Sequence, residues 1–261
     1  MSQDAIDTLS HLAAFFDVNG RAVGPGARPY FIAEAGSNFN QDLETGFKLI
    51  EVAKSAGADA VKFQLFQPES LYPAGTKEFE AVSAVALNPD WVPKLAEHAR
   101  KQEIEFMASA FDIASVDVLE EAGVAAHKIA SSEATNIPLL ARLAETGKPV
   151  FLSTGMCDMV DVHEAVSLFL ENGNDKIALL QCGAMYPLPP EHVNLRVMDL
   201  FRDVFGDTIG FSDHTLGLAV PVAAVARGAS VIEKHYTLDR TAEGPDHFYA
   251  IEPDERTRLG E

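Results

Sequence analysis

The sequence predicts a single closed (β/α)8 barrel, an α/β fold in which eight parallel strands alternate with helices. Eight short runs rich in β-branched or aromatic residues start 21 to 45 residues apart, and most intervals hold one amphipathic helical pattern. Such alternation favours parallel strands, because a crossover helix returns the chain to the same edge of the sheet. No Gly-rich nucleotide loop follows the first run, which disfavours the alternative, an open doubly wound sheet. The length of 261 residues suits one barrel domain.

Residues 1–29 precede the barrel and are expected to form an N-terminal extension that ends in a hairpin. The turn residues of this segment are Asn19-Gly20 and, a few positions later, Gly24-Pro25-Gly26. We expect the hairpin to plug the floor of the barrel.

The barrel strands are predicted from short apolar runs, and the helix after the first of them has the clearest pattern. That helix is predicted over Leu43–Ala56, with Gly57 as its C-terminal stop. The predicted strands are Tyr30–Glu34, Ala60–Gln64, Glu105–Ala108, Ala126–Ile129, Val150–Ser153, Ile177–Cys182, Thr208–Ser212 and Val231–His235.

Two segments depart from the regular alternation. Residues 67–89 form an unusually long connection, of the kind that serves as a lid or an active-site loop. The chain stops a few residues into a last helix that begins near Pro253. A short last helix would leave apolar barrel surface uncovered, so we expect a homodimer or a larger assembly.

The composition indicates a globular cytoplasmic protein. Thirty-nine acidic residues against 20 basic residues give a net charge of −19, which argues against nucleic acid or an anionic membrane as partner. Two cysteines suit a reducing compartment. No apolar run is long enough to span a membrane, and the first residues lack the basic start of a signal peptide.

Polar side chains lie where the predicted strands end. In a parallel barrel the active site is built at the carboxyl ends of the strands, so these residues are the candidates for function. They are Glu34, Lys62, Gln64, Ser109, Lys128, Ser131, Glu133, Ser153, Thr154, Tyr186, Ser212, His214 and His235.

Two of these strand-end residues, Lys62 and Lys128, are cations within otherwise apolar runs. With the hydroxyl groups of nearby strand ends they would form a cradle for a phosphate or a carboxylate. The alternative, that each lysine only extends to solvent, stays open at this point. The hydroxyl groups are those of Ser109, Ser131, Ser153 and Ser212.

His214 and His235 follow neighbouring strands of the predicted barrel. Two imidazoles there would bind a divalent cation and leave positions open for substrate and water. From position alone, a hydrogen-bonded structural role is the more common one for a histidine, and this alternative stays open here. We expect His11, His98, His127, His163 and His192 to be structural. Cys157 and Cys182 are expected to be packing residues without a histidine partner.

Several longer motifs resemble one enzyme family from about Phe16 to Asp254. The family is that of the sialic acid synthases, the N-acetylneuraminate synthases with their pseudaminate and legionaminate relatives. The motifs stand in the same order with compatible spacing, and SDHTLG followed by EKHYTLD and GPDH is the most specific part. The motifs are FIAEAGSNFNQDLETGFKLIEVAKSAGADAVKFQ, HKIASSE, PVFLSTGM, IGFSDHTLG, VIEKHYTLDR and GPDH.

The resemblance implies a (β/α)8 barrel enzyme that condenses phosphoenolpyruvate with an N-acetylated amino sugar, using a divalent metal, typically Mn²⁺. Mg²⁺, Co²⁺ or Zn²⁺ are alternatives. It implies that His214 and His235 bind the metal and that Glu34 and Glu133 position or deprotonate reacting groups. The residues implied to hold phosphoenolpyruvate are Lys62, Ser109, Lys128, Ser131, Ser153 and Ser212. Those implied to contact the sugar are Gln64, Tyr186 and Asp246.

The sequence departs from the family pattern mainly in the part of the site that is implied to bind the sugar. Phe39 and Gln41 replace a His and a Gly, and Ala184 lies where relatives usually have a polar side chain near the phosphate. Many relatives also carry a C-terminal antifreeze-like domain, which this chain is expected to lack, so a separate polypeptide is a possible source of it. We therefore expect phosphoenolpyruvate chemistry with a different or smaller aldose. The alternatives are a barrel aldolase, a Kdo-8-phosphate-type synthase and a non-catalytic sugar- or anion-binding homologue.

Overall fold

A computed structural model describes residues 12–260 of the chain, so the expectations for His11 and for the first eleven residues of the N-terminal extension lie outside the described residues. The strands are β1 (Phe16–Val18), β2 (Arg21–Val23), β3 (Tyr30–Gly36), β4 (Ala60–Leu65), β5 (Glu105–Ala110), β6 (His127–Ile129), β7 (Val150–Ser153), β8 (Ile177–Cys182), β9 (Ile209–Asp213) and β10 (Val231–His235). The α-helices are α1 (Leu43–Ser55), α2 (Pro68–Leu71), α3 (Lys77–Ser83), α4 (Val92–Lys101), α5 (Ile113–Ala122), α6 (Ile137–Glu145), α7 (Met159–Glu171), α8 (Val197–Phe205), α9 (Ala219–Ala226) and α10 (Pro253–Gly260).

Strands β3 to β10 form a closed parallel barrel. Each strand is hydrogen-bonded to the next in sequence, and β10 pairs with β3 to close the ring. The predicted barrel is confirmed, and the open doubly wound sheet is ruled out. The observed strands match the predicted ones to within two residues at each end, and the last helix begins at Pro253 as expected.

The floor of the barrel is apolar and is covered by the N-terminal hairpin of β1 and β2. Inward side chains near the amino ends of the strands pack in one cluster with the hairpin residues Phe16, Val18 and Val23. The Phe151 ring stacks on Tyr30 at 5.6 Å and meets the Phe16 ring edge-on at 5.8 Å. The expected plug at the floor is therefore present.

The upper layer of the barrel interior is polar because successive inward positions are two residues apart. Above Tyr30 and Ile32 on β3 comes Glu34, which pairs in register with His235 on one side and Lys62 on the other. In the same way Ser109 pairs with Lys128, and Ser212 pairs with Glu233. Strand register thus brings distant polar residues to one mouth.

Helix α1 begins where Asp42 caps it. The Asp42 carboxylate accepts hydrogen bonds from the backbone N–H groups of Glu44 and Thr45, and satisfies two donors that the helix itself cannot. The helix ends before Gly57, whose φ of +82° suits glycine.

The long connection between β4 and α4 contains two short helices, α2 and α3, in place of an irregular loop. Its start is fixed by Asp112, which accepts hydrogen bonds from Gln67 N at 3.1 Å and from Ser70 Oγ at 3.2 Å. Neither helix has a buried side chain, but Leu87, which follows α3, is buried in the main hydrophobic core and ties the segment to the barrel.

None of the helices within residues 12–260 has both the length and the apolar character that crossing a membrane requires.

Candidate active site

Lys62 lies inside the mouth of the barrel, on the inward face of β4. Its ammonium group is 2.8 Å from Glu34 Oε2 and donates a hydrogen bond to Ser109 Oγ at 2.9 Å. Gln64, one inward position further along β4, donates to Glu34 Oε1 at 3.0 Å. Four predicted site residues therefore form one connected group, in which Gln64 is half-buried and the other three are buried, and the lysine does not extend to solvent.

Lys128 occupies the corresponding position on β6. Its ammonium group donates to Ser153 Oγ at 2.8 Å and to the carbonyl of Ile129 at 2.9 Å. Ser131, just beyond the strand, accepts a hydrogen bond from the backbone N–H of Gly155 at 2.9 Å. The predicted hydroxyl groups thus lie around the two lysines.

Glu233 joins the two lysines and is a site residue that the sequence analysis missed. Its carboxylate is 3.6 Å from Lys128 and 3.9 Å from Lys62, and it accepts a hydrogen bond from Ser212 Oγ at 2.9 Å. The sequence could have predicted this residue, because Glu233 lies two positions before His235 on the same strand and therefore points to the same inward face.

The charges of this group shift one another's pKa values. Burial raises the pKa of Glu34 to about 7, since lost hydration outweighs the attraction of Lys62. Burial also acts to lower the pKa of Lys62, but the charges of Glu233 and Glu34 outweigh it and the net shift is upward. Burial lowers the pKa of Lys128, which has Glu233 as its main compensating charge.

His214 and His235 lie side by side at the mouth, with ring centroids 5.5 Å apart. The Nδ1 atom of His214 is 2.7 Å from the carbonyl oxygen of Gly183, and the Nδ1 atom of His235 is 3.3 Å from the Tyr249 hydroxyl. Each ring therefore keeps Nε2 for a ligand. Within residues 12–260 no cluster of three His, Cys, Asp or Glu side chains is arranged to hold a metal. The pair fits a cation that takes its other ligands from substrate and water.

Cys182 also contacts this pair. Its Sγ atom is 3.8 Å from His214 Nδ1, so the expectation that neither cysteine has a histidine partner is wrong for Cys182. The inward position of Cys182 at the end of β8, opposite Ser212 on β9, brings the thiol to the mouth.

Tyr186 and Asp246 lie around the two histidines. The Tyr186 ring packs against that of His214, with centroids 4.1 Å apart and the ring planes tilted by 38°. Asp246 accepts hydrogen bonds from Tyr249 at 2.7 Å and from the backbone and side chain of Ser37 at 3.0 and 2.9 Å. Gly36 permits this approach, because a Cβ there would stand 2.5 Å from Asp246 Oδ2.

A cavity of about 380 Å³ opens beside this polar group. Gln64, Glu133 and Asp246 all line it, although they come from three different strand ends. Glu133 is held by a hydrogen bond of 2.8 Å from Asn136 Nδ2. The mouth therefore has one half with two lysines and several hydroxyls, and another half that is a cavity lined by two carboxylates, Glu133 and Asp246.

The closed barrel, the polar mouth and the paired lysines define a barrel enzyme that acts on an anionic substrate. The chain belongs to the NeuB family, whose model matches residues 49–261. The predicted resemblance to the sialic acid synthases is thereby confirmed.

Two curated relatives and one solved structure illustrate this membership. The chain is 41% identical over 244 residues to the N,N'-diacetyllegionaminic acid synthase of Campylobacter jejuni, covering 87% of this chain and 73% of that protein. It is 38% identical over 255 residues to human N-acetylneuraminate-9-phosphate synthase, covering 92% and 70%. A sialic acid synthetase from Leptospira borgpetersenii, crystallised with citrate, superposes with a TM-score of 0.91 at 33% identity, covering 96% of this chain and 88% of that one.

Proposed function

We propose that the protein catalyses the metal-dependent condensation of phosphoenolpyruvate with an aldose, giving a 2-keto-3-deoxy sugar acid and phosphate. One observation carries the proposal. The buried pairs Lys62–Ser109 and Lys128–Ser153 lie in the same barrel mouth as His214 and His235. This arrangement suits an anion bound next to a metal-activated carbonyl group.

The phosphoenolpyruvate half is formed by the lysines and the surrounding hydroxyls. Lys62 and Lys128 neutralise the substrate's negative charge and release Glu34 and Glu233 from part of their ion pairing. Ser109, Ser131, Ser153 and Ser212 donate hydrogen bonds to its oxygens. The bound substrate is thereby oriented with carbon 3 toward the acceptor.

His214 and His235 would hold the divalent cation, most simply Mn²⁺, through their Nε2 atoms. When bound, the cation polarises the aldehyde carbonyl of the acceptor. Gln64, Tyr186 and Asp246 contact the acceptor and place its aldehyde carbon beside carbon 3 of phosphoenolpyruvate. A carbon–carbon bond forms between these two atoms, and the aldehyde oxygen becomes a hydroxyl group.

Positive charge then develops at carbon 2 of the former phosphoenolpyruvate. Glu133 stabilises this charge and accepts a proton from the water that adds there. Glu34, with its pKa of about 7, exchanges a proton with the reacting oxygens near neutral pH. The phosphate-bearing tetrahedral carbon finally expels phosphate and leaves the 2-keto acid.

The test is phosphate release from phosphoenolpyruvate with Mn²⁺ across a panel of aldoses, with mass spectrometry of the product. Acceptor-dependent release that disappears in His235→Ala supports the proposal. His163→Ala, which changes an exposed histidine on α7, is the matched control and should retain activity. Absence of release with every aldose would contradict the proposal.

A barrel aldolase is the second candidate, and Lys128 is the observation that favours it. Burial lowers the pKa of this lysine, as Schiff-base formation requires. Borohydride trapping with a 2-keto acid separates the two reactions. A covalent adduct on Lys128 would support the aldolase reaction and contradict the condensation reaction.

We also propose that the protein works as a homodimer or a larger assembly. Exposed apolar surface on α9 supports this, where Val222 and Val225 are 54% and 39% exposed in a helix without polar side chains. Light scattering at micromolar concentration tests it, and a monomer would contradict it.

A further inference from the structure

Tyr249 is a buried tyrosine that the proposed reaction does not use, and it lies directly beside His235. The two rings meet edge-on with centroids 4.9 Å apart, and the Tyr249 hydroxyl is 3.3 Å from His235 Nδ1. The same hydroxyl donates a hydrogen bond to Asp246 Oδ1 at 2.7 Å. A continuous chain of side chains therefore runs from the imidazole through the phenol to a carboxylate.

The segment after β10 folds back along the end of that strand and brings Tyr249 to this place. The backbone N–H of Ile251 donates to the carbonyl of His235 at 2.9 Å, and the N–H of Thr237 donates to the carbonyl of Ile251 at 3.0 Å. Tyr249 lies two residues before Ile251 and is thereby held against His235. Because backbone pairing holds the segment, a phenylalanine at position 249 would keep its ring in the same place.

Asp246 sets the direction of the hydrogen bonds in this chain, because an ionised carboxylate only accepts them. Its Oδ2 atom accepts from the backbone N–H and the hydroxyl of Ser37 at 3.0 and 2.9 Å, which leaves Oδ1 for the phenol. The Tyr249 hydroxyl has one hydrogen atom and gives it to this charged acceptor, the nearer of its two partners. The phenol oxygen is then an acceptor toward His235, so the proton of that ring lies on Nδ1.

His214 reaches the same tautomer by a different route. Its Nδ1 atom is 2.7 Å from the carbonyl oxygen of Gly183, which can only accept a hydrogen bond, so this nitrogen also carries the proton. Both rings thus present the lone pair of Nε2, which is the form that binds a metal. The backbone holds the proton of His214 in place, whereas a side chain, Tyr249, does so for His235.

We propose that Tyr249 is a positioning residue that keeps the proton of His235 on Nδ1 and leaves Nε2 free for the cation, with Asp246 as the end of the chain. The inference rests on the proposed function, because that proposal assigns a cation to the two histidines. Without the phenol, the buried Nδ1 proton would lose this acceptor. The tautomer with the proton on Nε2, which cannot bind the cation, would then gain population.

The first test reads the tautomers by nitrogen-15 NMR of the histidine rings in metal-free protein. We expect His235, identified by the signals that disappear in His235→Ala, to have a protonated Nδ1 and an unprotonated Nε2. In Tyr249→Phe the proton should move in part to Nε2, while His214 in the same molecule keeps its state. A protonated Nε2 of His235 in the unchanged protein, or the same tautomer in Tyr249→Phe, would overturn the proposal.

The second test measures Mn²⁺ affinity by electron paramagnetic resonance without substrates. Tyr249→Phe should lower the affinity by about 10-fold or more. Tyr236→Phe is the matched control, because it removes an equally buried hydroxyl that donates to the carbonyl of Leu49 at 2.7 Å, and it should bind Mn²⁺ as the unchanged protein does. Thermal unfolding of both variants shows the stability that each has lost. Equal Mn²⁺ affinity in the two variants would overturn the proposal.

Asp246→Asn separates this role of Asp246 from its contact with the acceptor. An amide brings a donor that faces either the Ser37 N–H or the Tyr249 hydroxyl, so it breaks or reverses the chain. Mn²⁺ affinity should therefore fall in the absence of any sugar, and an unchanged affinity would overturn the role of Asp246. If the unchanged protein bound no Mn²⁺, the cation of the proposed function would fail, and the nitrogen-15 spectra of metal-free protein would still decide on Tyr249.

Discussion

The ammonium group of Lys62 lies 2.8 Å from Glu34 Oε2, and both side chains are almost completely buried. Glu34 lies on β3 and Lys62 on β4, and the register of these two strands places the residues directly opposite each other. This pair connects the proposed phosphoenolpyruvate half of the mouth to Gln64 and the sugar cavity.

Lys62→Met should weaken phosphoenolpyruvate binding by about 100-fold or more, because it removes a buried cation whose charge the substrate needs. Isothermal titration calorimetry measures the dissociation constant of phosphoenolpyruvate for each protein. Lys101→Met, which changes an exposed lysine on α4, should bind as the unchanged protein does. A dissociation constant in Lys62→Met equal to that of the unchanged protein would exclude this lysine from the substrate site.

Lys234→Met should lower Mn²⁺ affinity by about 10- to 100-fold, because Lys234 is a positioning residue behind the histidines. Its ammonium group lies 2.6 Å from Asp213 and donates to the carbonyl of Thr215, and all three residues are buried. Asp213 precedes His214 and Lys234 precedes His235, so one ion pair fixes both strand ends.

Breaking this buried pair costs about 3–5 kcal/mol of stability, so Lys234→Met needs a stable counterpart. The double variant Asp213→Leu with Lys234→Met leaves no unpaired charge and should fold better. Electron paramagnetic resonance of Mn²⁺, with thermal unfolding of both variants, separates metal affinity from stability. Wild-type Mn²⁺ affinity in the double variant would show that the pair does not position the histidines.

Replacing His127 should flatten the dependence of stability on pH between about 4 and 6.5. Burial lowers the pKa of His127 to about 4, although Glu120 lies 2.8 Å away. The unfolded chain therefore binds the proton first, and the free energy of unfolding falls as pH drops from 6.5 to 4. The full effect is roughly 3 kcal/mol.

Urea unfolding at several pH values measures the slope for His127→Gln and for His163→Gln. His163 is exposed on α7 and its replacement should leave the slope unchanged. If His127→Gln kept the full slope, a different buried group would have to account for the acid sensitivity.

Gln41→Gly should be more stable than Gln41→Ala by about 1 kcal/mol. Gln41 has a φ of +57°, which costs a residue with a Cβ about 1–2 kcal/mol. Both variants lose the hydrogen bond from Gln41 Nε2 to the carbonyl of Ala86, so their difference reports only the backbone. Chemical denaturation measures it, and equal stabilities would show that the left-handed conformation carries no cost here.

Most of the barrel was predictable because its strands are short apolar runs separated by turns and helices of regular length. The long connection after β4 was recognised, but its helices α2 and α3 were not. They bury no side chain completely, so they lack the periodic apolar stripe that marks α1.

The candidate site was predictable where a side chain ends a strand. Glu233 was missed because it lies one inward position below the end of β10, and only its alternation with His235 reveals it. The contacts of Cys182 with His214 and of Asp213 with Lys234 depend on strand pairing between residues 32 and 21 positions apart. No local pattern encodes such contacts, since they follow from the closed barrel itself.

The position of α2 and α3 outside the core has an evolutionary consequence. The lysines and histidines of the barrel mouth lie on or directly after barrel strands, whereas α2 and α3 contribute no buried side chain. Substitutions or insertions within these two helices would therefore cost the scaffold little stability. A lineage could acquire a new acceptor sugar there while the lysines, hydroxyls and histidines below it stayed the same.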